Sequence, residues 1–168
     1  MKKKLLAIFL LVLIALPCIW RLWPHSLNRI LDANGEAFDA IAVQVSEFGI
    51  SDGSPKIDVY RLDIPSRKDA NYDSFMSVLQ STEFRQDFRN LLPWNILSVG
   101  SGQDSITHSA YILLEWGGGN TCYISFHGDR IVSFDISGET EYRIYHPADR
   151  ATLNRIVTYV KEHGALQG

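Results

Sequence analysis

The chain has 168 residues, 16 basic and 19 acidic side chains, a net charge of −3 and two cysteines. Setting aside Lys2, Lys3, Lys4 and Arg21, which flank the first apolar run, leaves 12 basic against 19 acidic residues. That balance of −7 argues against nucleic acid as a partner and against close approach to an anionic bilayer surface. Cys18 lies in the apolar run and Cys122 in a strand-like segment, so an intradomain disulfide is excluded and the fold must hold by burial.

Lys2, Lys3 and Lys4 precede an unbroken apolar stretch from Leu5 to Trp20, the charged and apolar regions of an export signal. As a helix, sixteen residues extend about 24 Å, short of a hydrocarbon core of roughly 30 Å, so a span must also take in Arg21, Leu22 and Trp23. Arg21 can snorkel to the headgroups while Trp20 and Trp23 sit at the interface. The lysines before the span leave the N-terminus cytoplasmic and the rest of the chain outside. The reading is a signal anchor over residues 1–23, a single membrane span. Two alternatives stand beside it. A cleaved signal, giving a secreted protein, needs small residues at −3 and −1, and Ala15 to Pro17 puts a proline at −1. Lipidation of Cys18 would require a lipobox, but Pro17 stands where that motif has a small residue.

About 145 residues follow, enough for one domain with its own core. Residues 24–37 are expected to link anchor and domain, with Leu27, Ile30 and Leu31 at helical spacing and Asn34-Gly35 ending the pattern. Residues 38–168 are expected to form a single extracytoplasmic α+β domain. From Phe38 to Phe48, Ile41, Val43 and Val45 alternate with Ala42, Gln44 and Ser46, a half-buried strand. Gly49 to Pro55 reads as a turn, and Lys56 to Ile64 resumes the alternation, completing a hairpin. Asn71 or Asp73 is positioned to cap a helix with Phe75, Val78 and Leu79 on one face and Phe84 extending it, with Pro93 as the stop. Trp94 to Val99 is a further strand candidate, followed by a polar loop from Gly100 to Thr107.

The clearest region follows. Tyr111 to Trp116, Thr121 to Phe126, Arg130 to Ile136 and Glu141 to His146 are four strand-like runs joined by connections short enough to require antiparallel neighbours. Ala148 to His163 then places Leu153, Ile156, Val157 and Val160 on one helical face, with Asp149 and Lys161 matched to the helix dipole and Gly164 as a stop. The expected fold is an N-terminal transmembrane helix followed by an antiparallel sheet, hairpin plus four-strand meander, with two helices packed on one face.

Arg130-Ile131-Val132-Ser133-Phe134, followed by Tyr142-Arg143-Ile144-Tyr145 and a closing amphipathic helix, resembles uncharacterised small extracytoplasmic domains found behind a single anchor or lipobox in Gram-positive bacteria. The resemblance covers roughly the last third of the chain. Those families have no assigned activity, so it implies an architecture and a location and no mechanism.

Candidate chemistry is sparse. Cys122 and His127 form the only thiol and imidazole pair close in sequence, but five residues apart on one strand they point to opposite faces, and Cys122 shares its face with Ile124 and Phe126. His108, His146 and His163 lack the spacing of a metal pair. Gly117-Gly118-Gly119-Asn120 has neither the lysine nor the helix of a phosphate loop and reads as a hairpin turn. Ser101 and Ser105 have no nearby base, and Asp129, Asp135, Glu139 and Glu141 do not follow calcium-loop spacing. No catalytic residue, cofactor or metal is assigned. Among the sheet aromatics Tyr111, Trp116, Tyr123, Phe126, Phe134, Tyr142 and Tyr145, the period of two places Trp116 and Phe126 under the helices. Tyr111 and Tyr123 fall on the opposite face, and if that face is uncovered they offer a surface for binding protein or glycan. The functional expectation is therefore a membrane-tethered binding or regulatory module for an envelope protein or glycan. The alternatives are a cell-envelope hydrolase using Cys122 or a loop serine, and a secreted inhibitor or immunity-type protein.

Overall fold

The computed structural model describes residue 9 and residues 23–31, 38–86, 107–140 and 142–167. Within them the chain forms β1 (His25–Ser26), α1 (Leu27–Ile30), β2 (Ala40–Ser51), β3 (Ser54–Ile64), α2 (Tyr72–Gln80), β4 (Glu83–Gln86), β5 (His108–Trp116), β6 (Asn120–His127), β7 (Ile131–Ile136), β8 (Arg143–Pro147), α3 (Ala151–His163) and β9 (Ala165–Gln167). All nine strands belong to one sheet, in the order β1-β4-β8-β7-β6-β5-β2-β3-β9, and every pairing is antiparallel.

The expected architecture is corrected here. In place of a hairpin plus a four-strand meander with two helices, the described chain is mostly a nine-stranded antiparallel sheet with three short helices. Nor is any helix among the described residues long and apolar enough to cross a membrane. The segment assigned to the anchor, Leu5 to Trp20, lies outside the described residues apart from Phe9, as do Cys18, Pro93, the strand candidate Trp94 to Val99, and Ser101 and Ser105. The strands that escaped the sequence reading are β1, β4 and β9, of two, four and three residues. A run that short has no period to detect. Phe84 shows the consequence. It belongs to β4, not to the preceding helix, and is fully buried with its ring 5.1 Å from Phe134 and 6.4 Å from Phe126. Helix α2 ends before it because Ser81 and Thr82 turn their hydroxyls back to the Val78 carbonyl, satisfying a free carbonyl of the last turn.

The alternation of the long strands builds the core. Val43, Ile112, Ile124 and Phe134 stand opposite one another across four strands and are buried, with the helices covering that face. All four apolar positions of α3, Leu153, Ile156, Val157 and Val160, are buried there as their spacing predicts. Their burial is worth roughly 6–12 kcal/mol before chain entropy is subtracted. Asp149 accepts a hydrogen bond from the Ala151 amide at 2.9 Å, tying down the N-terminus of α3, and this bond holds its carboxyl below the usual range. Tyr159 joins α3 to α2 through the Ser74 hydroxyl at 2.5 Å. Leu27, Ile30 and Leu31 are buried in the same core, and Arg143 donates to the Ile30 carbonyl at 2.8 Å.

Two glycines carry particular geometry. Asp52 and Gly53 both have positive φ, 52° and 76°, and form a two-residue turn of the type that matches strand twist. The residues expected as one long turn, Gly49 to Pro55, therefore contribute mostly strand, and the hairpin is longer than the sequence reading made it. Gly164 does not take the left-handed stop expected of it: its backbone is extended, with φ −94° and ψ 179°. It is needed for closeness, since a Cβ there would lie 2.6 Å from the carbonyl oxygens of both Arg61 and Val160. That approach lets the chain leave α3 directly into β9 and pair with β3.

Candidate functional site

The residues of β2, β3, β5 and β6 that do not enter the core form the sheet face opposite the helices. Gln44 stands between Arg61 on β3 and Tyr111 on β5, and Tyr111 stands opposite Ser125 on β6. One row along, Leu113 lies between Ala42 and Tyr123. These side chains line a shallow groove of about 240 Å³. Tyr111 is 44% and Tyr123 53% exposed, so the described residues leave both rings accessible. Arg61 donates from Nε to both carboxylate oxygens of Asp63, at 3.0 and 2.9 Å, which fixes the guanidinium at the groove edge and neutralises it.

The same face continues outward along the hairpin. β5 pairs with β2 only as far as Glu47, apart from the Phe48 amide bonding to the Thr107 carbonyl, and β9 pairs with β3 only from Val59. Among the described residues, Gly49 to Ser51 and Ser54 to Lys56 thus have only each other as ladder partners, forming a projecting arm. Its ladder places Phe48 opposite Ile57 and Ile50 opposite Pro55, on the side of the sheet that carries Tyr111 and Tyr123. Phe48 is 38%, Ile57 58% and Ile50 81% exposed. The sequence reading missed these residues. The signal was present, because Phe48 and Ile50 continue the register of Ala42, Gln44 and Ser46, where solvent-facing residues are expected.

The remaining candidates disperse. Cys122 is fully buried, and desolvation, reinforced by Asp135 and Glu139, pushes its thiol up to about 12. It is no nucleophile at neutral pH. His127 lies on the other face, with Nε2 3.5 Å from the Ser133 hydroxyl. Among the described residues no carboxylate hydrogen-bonds to His127 in the way that would orient a base. His108 contacts Thr107 and Glu47, His146 donates from Nδ1 to the Arg130 carbonyl, and His163 stacks on Tyr159 at 4.3 Å. Gly117 to Asn120 is a hairpin turn closed by Asn120 donating to the Gly117 carbonyl at 2.7 Å. Of the acidic residues, Asp129 pairs with Arg130, Glu139 with Arg143, and Asp135 lies opposite Tyr123, while Glu141 is outside the described residues. Among the described residues, no three His, Cys, Asp or Glu side chains come together to hold a metal.

At the end of α3, Lys161 reaches Glu47 on β2 at 2.6 Å and lies 5.3 Å from the centre of the Tyr60 ring. The hydrogen bond from Lys161 holds the Glu47 carboxyl below its usual range, and Glu47 raises Lys161 in return. This pair anchors the root of the hairpin arm to the helix layer. No protein-family model, curated protein or solved structure matches the chain.

Proposed function

We propose that the protein is a non-enzymatic, extracytoplasmic binding module that engages a protein partner through the sheet face opposite its helices. One observation carries the reading: Tyr111 and Tyr123 stand exposed beside a groove, on a face that continues into an apolar hairpin arm. Contiguous apolar surface rimmed by polar groups marks an interaction site, and tyrosine supplies large rigid contact area at low entropic cost. Gln44, Ser125 and Arg61 supply the polar groups at the groove. The lysine-led apolar segment from Lys2 to Trp20 supports the location, tethering the domain at the outer surface of the membrane.

The hydrolase alternative loses its thiol. Cys122 has neither exposure nor a base, and its pKa leaves almost none of it ionised at neutral pH. The binding reading is tested by placing a photo-reactive benzoylphenylalanine at position 123 of the full-length protein in its native membranes. The expected result is one stoichiometric protein adduct that disappears when Tyr111→Ala and Ile57→Lys are added. Failure to form any protein adduct would remove the reading.

A further inference from the structure

The fold begins almost as soon as the apolar segment ends. β1 starts at His25, two residues after Trp23, and pairs with β4 through His25 with Phe84 and Ser26 with Glu83. α1 follows without a break, and Leu27, Ile30 and Leu31 are buried in the core. Arg143 holds the Ile30 carbonyl from β8 at 2.8 Å. Residues 25–31 are thus built into the fold and provide no slack between it and the apolar segment. Two residues of chain reach at most about 7 Å. Trp23 is exposed, and with its ring at the membrane interface β1 has to lie within about that distance of the headgroups.

β1 is one edge of the nine-stranded sheet, and β2 lies six positions away, about 29 Å along the sheet at the usual strand spacing. A sheet fixed at one edge can stand on a membrane or lie down on it, and charge decides between the two. β1, α1 and β4 carry Arg29, Arg85 and Glu83, a balance of +1. From Pro24 onward the chain has 12 basic and 19 acidic residues, −7 in all and therefore −8 outside those three elements. An anionic bilayer surface attracts the first charge and repels the second. Exposed Glu115 and Asp135 share the face of Tyr111 and Tyr123, so laying that face on the lipid would press carboxylates against the headgroups. The short tether holds one edge down while the acidic remainder is lifted away.

We infer that the domain stands edge-on against lipid headgroups, with β1 and β4 at the membrane and the tyrosine groove and hairpin arm held out in the aqueous space. The inference rests on the membrane tether in the reading above and is tested separately from it. In a Cys18→Ser background, the full-length protein is labelled with a thiol-reactive fluorophore at Glu83→Cys or at Ser54→Cys, both exposed positions. It is then reconstituted in phosphatidylglycerol–phosphatidylcholine vesicles with and without a nitroxide-headgroup lipid, a short-range quencher. The expected result is quenching at position 83 at least three times that at position 54. A twelve-residue Gly-Ser insertion between Trp23 and Pro24, which supplies about 19 Å of slack, should at least halve the quenching at position 83. Equal quenching at the two positions, or quenching at position 83 that the insertion leaves unchanged, would overturn the edge-on seat. A protein that stays in the vesicles through a carbonate wash with position 83 unquenched loses the seat and keeps the tether. If the wash strips it from the vesicles, the tether falls and the seat with it.

Discussion

The sheet face beneath the helices and the face turned away from them are made from alternate residues of the same strands, yet they have different tasks. On the helix side, Val43, Ile112, Ile124 and Phe134 are buried with α3 against them. On the other side, one residue along each strand, Gln44, Tyr111, Leu113, Tyr123 and Ser125 line an open groove. The first face holds the fold by removing apolar surface from water. The second retains apolar surface at the solvent boundary, at Phe48, Ile50 and Ile57 above all, where it contributes little to folding stability.

That division can be broken most severely from the helix side. Ile156 is fully buried, so Ile156→Asp places an uncompensated carboxylate in the core. We expect loss of more than about 4 kcal/mol and no cooperative thermal transition. A variant that melts like wild type would refute the assigned face of α3. Gly164→Ala should cost about 1–3 kcal/mol, read by urea denaturation, because its Cβ collides with two backbone carbonyls that no side-chain rotation can relieve. An unchanged midpoint would mean that β9 does not pass so close to the end of α3.

Milder changes sharpen the comparison. The Glu47 carboxyl has a folded pKa below its unfolded one, so its stabilising contribution is present above the unfolded value and is lost as pH falls through the folded value. The melting temperature should therefore decline in acid below about pH 4.3, the ordinary glutamate value, and Lys161→Met should flatten part of that decline. An identical acid profile in the variant would show that the Lys161 pair is not the cause. On the open face, Tyr111→Ala and Tyr123→Ala should each move folding stability by no more than about 0.5 kcal/mol, as exposed substitutions do, while abolishing the partner adduct. A large loss of stability would place the tyrosines in a core. Cys122 completes the contrast: in the folded protein its thiol should resist alkylation, and it should react fully once urea unfolds the chain. Rapid labelling of the native protein would reopen the hydrolase reading.

The sequence was most informative where the pattern was long. The runs that became β5, β6 and β7 have six or more residues with alternation or turns rich in glycine, and α3 carries four apolar residues at helical spacing; each appears within three residues of its expected bounds, while the last run, expected from Glu141 to His146, is the five-residue strand Arg143–Pro147. The placement of Tyr111 and Tyr123 on the face opposite Trp116 and Phe126 was also legible, because the period of two is a property of the local backbone. The arm was half legible: Asp52-Gly53 is a strong two-residue hairpin signal, but the surrounding Gly49, Ser51, Ser54 and Pro55 gave the whole segment the composition of a loop.

By itself, then, the sequence determined which residues share a face, the existence and buried face of α3, the burial of Cys122, and the lysine-led apolar segment at the N-terminus, since each depends on neighbours within a few residues. Only the tertiary structure decided the order of nine strands, the short β1, β4 and β9 that complete the sheet, and the projection of the β2–β3 hairpin past its neighbours. Strand pairing joins residues far apart in the chain, as β1 to β4 and β3 to β9, and no local period records which distant backbone will supply a strand's hydrogen bonds. The same holds for the exposed tyrosines: their spacing fixes the face, and the packing of the whole molecule decides whether anything covers it.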